Sequence, residues 1–163
     1  MTLDHIFQRI IDTPEINGIT ISGGEPILQA AGLSKLLKRV KQFRDLDVIS
    51  FTGFTLSQLL NRLTHFPEIG EYLDLLDVLI DGLYIKELDD NQGLRGSTNQ
   101  KIHHLTSRLN WFDFEKSARK VEFFINRDEI TMAGIPPHGL LDIFKDVTQN
   151  SKLSRAVLDG SMV

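Results

Sequence analysis

The sequence predicts an α/β fold built on a parallel sheet, and three observations lead there. Three short runs, Gly18-Ile19-Thr20-Ile21, Val48-Ile49-Ser50-Phe51-Thr52 and Val78-Leu79-Ile80, are continuous apolar or β-branched stretches without clean alternation. That is the pattern of strands covered on both faces. The segments between them carry helical periodicity, which suits right-handed crossovers between parallel neighbours. Each run also ends in glycine and polar residues, namely Ser22 to Glu25, Thr52-Gly53 and Asp81-Gly82. In parallel α/β sheets and barrels, ligands bind at the carboxyl ends of the strands, so three such ends are expected to converge on one site.

Taken in order, Thr2 caps a first helix in which Leu3, Ile6, Phe7, Ile10 and Ile11 form one apolar stripe. Pro14 ends it by driving Thr13 out of helical geometry. After the first strand, a helix opens at Pro26 with Ile27, Leu28, Ala31, Leu36, Leu37 and Val40 on one side and Lys35, Lys38, Arg39 and Lys41 mostly on the other or near its end. The second strand stops at Gly53. Thr55-Leu56-Ser57-Gln58 has capping-box spacing and predicts a third helix through Leu59, Leu60 and Leu63. A loop containing Pro67 and a short apolar segment, Ile69 to Leu76, lead to the third strand. Residues 86 to 100 read as a polar loop. Val121 to Ile125 and Glu129 to Ala133 flank Asn126-Arg127-Asp128 as an antiparallel hairpin, and Leu140 to Val147 reads as a short helix. Residues 1–150 therefore form one domain and 151–163 a tail without pattern.

Composition excludes several classes. The chain has 163 residues, 41% hydrophobic and 25% charged, with net charge −4, so it carries no basic field for nucleic acid or anionic lipid. Its apolar runs are too short for a membrane span, it has no signal-peptide pattern, and the expected location is cytoplasmic. It contains no cysteine, which removes disulfides, thiol nucleophiles and thiolate-held metal from these residues.

Ser22-Gly23-Gly24-Glu25-Pro26 is the most informative stretch. Two glycines let the backbone approach a ligand closely, Glu25 puts a carboxylate at the mouth, and Pro26 suits the first turn of the next helix. Bare backbone plus one acid suits a small molecule carrying an ammonium group. The alternative is a tight strand-to-helix turn with an incidental acid.

With Gln29, this stretch is followed by Ser50-Phe51-Thr52-Gly53-Phe54-Thr55, Asp77-Val78-Leu79-Ile80-Asp81-Gly82 through Tyr84, and Leu94-Arg95-Gly96-Ser97-Thr98-Asn99-Gln100. In that order and spacing the segments resemble radical S-adenosylmethionine enzymes, most closely the activating proteins of anaerobic ribonucleotide reductase. The later hairpin and Gly134-Ile135-Pro136 look similar with less specificity. The resemblance implies a partial (βα) barrel of the radical S-adenosylmethionine type. It implies that carbonyls around Ser22, Gly23 and Gly24, with the Glu25 carboxylate, accept from the methionyl amino group of S-adenosylmethionine, because an ammonium offers only donors. It implies further that Ser50, Thr52 and Asp81 face the rest of the cofactor, and that Arg95, Asn99 and Gln100 belong to a substrate or partner loop. The implied partner is a glycyl-radical enzyme.

The sequence departs from that family in one decisive respect. The family holds a [4Fe–4S] cluster through Cys-x3-Cys-x2-Cys between its first strand and first helix, and this chain has no cysteine. Other side chains do not readily replace three thiolates around a low-potential cluster. Two expectations follow. One is an N-terminally truncated activase that lacks the first strand and cluster loop and has no redox activity, the cluster belonging to a full-length parent. The other is a cluster-free relative that binds an adenosyl ligand or docks to a partner. A missing first strand leaves Gly18 to Ile21 with an open edge, to be hidden by homodimerisation or by rearrangement of the first helix. Leu83, where the related proteins commonly have proline, is a lesser departure.

The remaining polar features have plainer readings. His103-His104, taken as neighbours on a helix, point too far apart to chelate from one face. Glu87, Asp89 and Asp90 read as a solvated loop, and Trp111-Phe112-Asp113-Phe114 as an apolar anchor rather than a base-stacking platform. Lys35, Lys38, Arg39, Lys41 and Arg44 read as an exposed helix face. Arg95 is balanced between a structural tie and a substrate contact.

Overall fold

The computed structural model describes residues 2–127 and 129–150; the expected tail, 151–163, lies outside the described residues. The chain runs α1 (Leu3–Asp12), β1 (Gly18–Ile21), a 3-10 turn (Pro26–Gln29), α2 (Ala30–Lys41), β2 (Asp47–Thr52), α3 (Leu56–Leu60), α4 (Pro67–Leu73) and β3 (Val78–Asp81). A second 3-10 turn (Lys86–Leu88), β4 (Lys101–His104), β5 (Val121–Ile125), β6 (Ile130–Gly134) and α5 (Leu140–Asn150) complete it. Strands β1 to β4 form one sheet in that order, with β1–β2 and β2–β3 parallel and β4 antiparallel to β3. β5 and β6 form a separate antiparallel pair.

Local signals account for most boundaries. The Thr2 hydroxyl accepts from His5 N at 3.3 Å, and Thr13, before Pro14, is extended at φ −78° and ψ 113°. The expected capping box is present at Thr55, whose side chain and that of Gln58 each bond the other's backbone. α3 is nevertheless shorter than its apolar pattern predicts, ending at Leu60, and the segment expected as a loop around Pro67 is helix α4 with proline in its first turn. The helix expected from Pro26 begins instead as a 3-10 turn, because Glu25 caps it by accepting from Ile27 N at 3.0 Å.

The parallel register determines which side chains share a face. Ile49 and Phe51 pair with Val78 and Ile80, while Ser50 and Thr52 pair with Leu79 and Asp81. On one face Val48 and Leu79 pack under Ile27, Leu37, Leu59, Ile69 and Tyr72. On the other, Val78 and Ile80 meet Leu109 and Phe114, with Ile49, Phe51, Leu94 and Phe112 alongside. Covered from both sides, all four residues of β3 are buried. A smaller cluster of Phe7, Leu36, Val40 and Leu46 docks α1 on α2.

Four sequence expectations are corrected here. The stretch containing His103 and His104 is strand β4, not helix; its single aliphatic residue, Ile102, gives no periodic signal, and its pairing with β3 defines it. The two histidines therefore face opposite sides: His103 Nε2 lies 2.9 Å from Asp81 Oδ2, and His104 meets Phe114 edge-on at 5.4 Å. Trp111 is 78% exposed, so Phe114 alone of that motif is a fully buried anchor. Arg44 is not a member of an exposed face: it donates to the carbonyls of Ile10, Thr13 and Ile16 and closes the C-terminus of α1. Asp89 is not a solvated loop acid, as the next section describes.

β1 lies at the sheet edge with Gly18 and Thr20 exposed, and no strand among the described residues pairs with its outer side.

Tyr72 fills the core under β2, where its hydroxyl shares a 2.8 Å hydrogen bond with Ser50 Oγ. Burial pushes its phenol up to about 12, against the lowering effect of Ser50. A raised phenol favours the folded state while protonated. Its contribution is therefore complete below the ordinary tyrosine value near 10.0 and is lost as pH rises towards about 12. Tyr72→Phe is expected to cost about 1 kcal/mol at neutral pH and to flatten the alkaline limb of a denaturation-midpoint profile.

Candidate functional site

The carboxyl ends of β1, β2 and β3 are stapled together by side chains arriving from the next segment of chain. Gly23 and Gly24 turn the backbone out of β1 at φ 82° and 55°, in the left-handed region that favours glycine. That turn delivers Glu25 across to β2. Glu25 Oε1 accepts from Ile27 N at 3.0 Å and from Thr52 Oγ1 at 2.8 Å, while Oε2 accepts from Gly53 N at 2.9 Å. Thr52 Oγ1 in turn accepts from Phe54 N at 3.2 Å.

Asp81 performs the matching task at β3. It is buried, and its Oδ2 accepts from Leu56 N while Oδ1 accepts from Lys101 N at 3.3 Å. Gly82 N donates to Phe54 O at 3.0 Å. The β2–α3 loop, residues 53–55, and the first residue of α3 are thus held by Glu25 on one side and by Asp81 and Gly82 on the other. The exit from β3 is fastened next: Gln100 Nε2 donates to Gly82 O and Asn99 Nδ2 to Leu83 O, at 2.8 and 2.7 Å. Gln100 Oε1 accepts from Gly96 N and Ser97 N, so its amide uses both ends.

Of the residues named from sequence, the structure brings Gly23, Gly24, Glu25 and Thr52 to one place. Ser22 is exposed beside them at the end of β1. Ser50 lies on the same face of β2, fully buried one step deeper against Tyr72, and does not reach the opening. Asp81 is committed to Leu56, Lys101 and His103. Asn99 and Gln100 frame the β3 exit. Arg95 is a structural tie, its Nη2 3.2 Å from Asp90 Oδ2. Sequence reasoning placed Gly53 at a strand end but gave no role to its amide, which binds Glu25, and it missed the part of His103, which a strand assignment for residues 101–104 exposes.

Asp89 organises the neighbouring loop. It accepts from Arg119 Nη1 and Nη2, Tyr84 Oη and Asn91 N, with His138 Nε2 at 3.3 Å. The Arg119 side chain is 1% exposed and also donates to the carbonyls of Arg95 and Gly96. Burial pushes the Asp89 carboxyl up, but Arg119, Asn91 N–H and His138 outweigh it and hold the group at about 2. Its contribution to stability is present above the ordinary value of 3.8 and is lost as pH falls through about 2. Asp89→Asn is expected to flatten the acid limb of unfolding across that window. Arg119→Ala strands a largely buried carboxylate and is expected to cost about 3 kcal/mol in denaturant titrations.

The open polar groups here are acceptors, which suit one kind of ligand and not another. The carbonyls of Gly23 and Gly24 accept no hydrogen bond from the described residues, and Glu25 Oε2 has a single protein donor. These acceptors fit an ammonium. A [4Fe–4S] cluster does not fit these residues: the chain has no cysteine, and no group of three or more potential metal ligands occurs among the described residues. No helix among the described residues is long and apolar enough to cross a membrane.

Comparison with known proteins gives one family model and several named relatives. The family model for the 4Fe-4S single cluster domain matches residues 1–103. The chain is 33% identical over 108 residues to the anaerobic ribonucleoside-triphosphate reductase-activating protein of Escherichia coli (strain K12), covering 63% of this chain and 66% of that protein. It is 38% identical over 110 residues to the protein of the same name from Vibrio cholerae serotype O1, with the same shares covered. It is 32% identical over 90 residues to the one from Enterobacteria phage T4, covering 53% of each. The match thus spans just under two thirds of the first two relatives' length. No solved structure matches the chain. The resemblance to activating proteins of anaerobic ribonucleotide reductase holds, and with the family's match running through most of the sheet, this chain belongs to the 4Fe-4S single cluster domain family.

Proposed function

We propose that this chain is the adenosyl-cofactor-binding part of an activating protein for anaerobic ribonucleoside-triphosphate reductase. In this reading β1 to β3 are a segment of a partial (βα) barrel of the radical S-adenosylmethionine type. The observation that carries it is the set of acceptors with open positions at the ends of parallel strands: the Gly23 and Gly24 carbonyls and the one position left on Glu25 Oε2, all within one turn. These residues would take the ammonium of S-adenosylmethionine, and a left-handed Gly-Gly backbone keeps the approach open. When bound in the family's way, that cofactor supplies hydrogen-abstraction chemistry, directed here at a glycine of the reductase. This chain's own part is to bind and orient the methionyl end.

Cluster-dependent chemistry is not assigned to these 163 residues, which hold no thiolate. In this reading thiolates outside them hold the cluster, and the chain alone has no redox activity. The absence of cysteine also favours a second reading, a cluster-free module that binds an adenosyl ligand or docks to a partner.

Isothermal titration with S-adenosylmethionine tests the ammonium site: saturable binding is expected, with Glu25→Ala weakening it about tenfold or more through loss of a charged acceptor. Absence of binding in the wild type removes this reading. Anaerobic reconstitution with ferrous iron and sulfide is expected to leave no cluster absorbance on the chain. Activation of the reductase on adding a separately expressed cysteine-bearing segment separates the first reading from the second.

We also propose that the open edge of β1 pairs with a second copy. Gly18-Ile19-Thr20-Ile21 carries no charge or proline to guard it, unlike β4 with Lys101 and two histidines. Light scattering is expected to give a dimer mass that Thr20→Pro reduces to a monomer; a concentration-independent monomer for the wild type refutes this pairing.

A further inference from the structure

An ionised carboxylate offers about four acceptor positions, two on each oxygen. In Glu25 three are filled from within the chain. Oε1 holds Ile27 N at 3.0 Å and Thr52 Oγ1 at 2.8 Å, and Oε2 holds Gly53 N at 2.9 Å. Thr52 is buried, and its hydroxyl proton goes to Glu25 while its oxygen receives Phe54 N. It therefore has no proton left for a ligand. It sets the plane of the carboxylate.

We propose that Thr52 is a positioning residue for Glu25, and that with the Ile27 and Gly53 amides it leaves the carboxylate one acceptor position, on Oε2, for a ligand cation. Gly53 has a part beyond its amide. A Cβ there would stand 3.4 Å from Oε2 and 3.6 Å from Leu83 Cδ1, ordinary contact distances that the fold tolerates but that crowd the oxygen still open. Its φ lies outside the left-handed region, so alanine meets no backbone strain. The arrangement also makes glutamate irreplaceable by glutamine. With the amide oxygen in the place of Oε1, the amide nitrogen faces Gly53 N–H, donor against donor. The acid at position 25 is thus required by the loop before any ligand arrives.

The ligand half of this inference rests on the ammonium reading above, so the test carries one arm that needs no ligand. Amide hydrogen exchange of Gly53 and Phe54 is read by NMR in the wild type, Thr52→Val, Thr52→Ser and Glu25→Gln. Faster exchange of both amides in Thr52→Val and of Gly53 in Glu25→Gln, about tenfold or more, is expected. Thr52→Ser, which keeps the hydroxyl, is expected to match the wild type. Unchanged protection in Thr52→Val overturns the positioning role whatever the chain binds.

The second arm compares affinities for S-adenosylmethionine and for its analogue lacking the amino group. Thr52→Val and Gly53→Ala are expected to lower the ratio of the two about tenfold, and Thr52→Ser to leave it unchanged. A merely structural role moves both affinities together and leaves the ratio constant, which overturns the proposal. If the wild type binds neither compound, the ammonium reading and the ligand half fall together, and the exchange arm alone decides the lock on the loop.

Discussion

Buried carboxylates at the two ends of the β2–β3 pair are the interaction on which the rest of the structure depends. At the lower end Asp77 is 1% exposed: its Oδ2 accepts from Val48 N and its Oδ1 from the Thr106 hydroxyl, at 2.8 and 2.6 Å. Its backbone carbonyl receives Leu105 N and Thr106 N, and Arg108 closes over it from Asp45 and Asp47. At the upper end Asp81 and Glu25 hold the β2–α3 loop between them. A parallel pair leaves slanted, partly unmet backbone groups where strands give way to loops, and groups buried there must find partners inside the protein. Carboxylates with several acceptor positions meet that demand with few residues.

The same economy explains how a short, glycine-rich turn ties β1 to β2. Gly23 and Gly24 leave β1 in left-handed geometry, which sends Glu25 sideways onto β2 rather than onward into solvent. The carboxylate serves the loop, taking three donors from within the chain and leaving one acceptor position on Oε2.

The segment beyond β4 has a distinct task. Leu109 and Phe114 cover the face of β3 that the helices leave bare, and the Arg119–Asp89 pair anchors that cover to the loop after β3. The family match ends at residue 103, so this second layer comes from sequence outside it. It completes the two-sided burial that a strand as apolar as β3 requires.

Much of the architecture was legible in the chain because its determinants are local. Apolar runs marked β1, β2 and β3 as strands, although only β3 is buried at every residue and β1 has Gly18 and Thr20 exposed; Thr2 and Thr55 announced helix starts, and Pro14 announced a stop. The turn at Ser22 to Glu25 was also legible, since paired glycines at a strand end permit the left-handed geometry found there. Other features had no local signal. β4 is a strand because β3 offers it hydrogen bonds, not because Lys101 to His104 alternate. Asp89 looks like the surface acids in sequence, and the strand-end place of Asp81 did not foretell its partners; only the approach of Leu56 N–H, His103 and Arg119 from distant positions distinguishes them. Sequence by itself determined β1 to β3, the turn after β1 and the absence of thiolates, because those rest on residue type and near neighbours. Tertiary structure alone decided which acceptors are spent and which remain, because hydrogen-bond capacity is allotted in space between groups far apart along the chain.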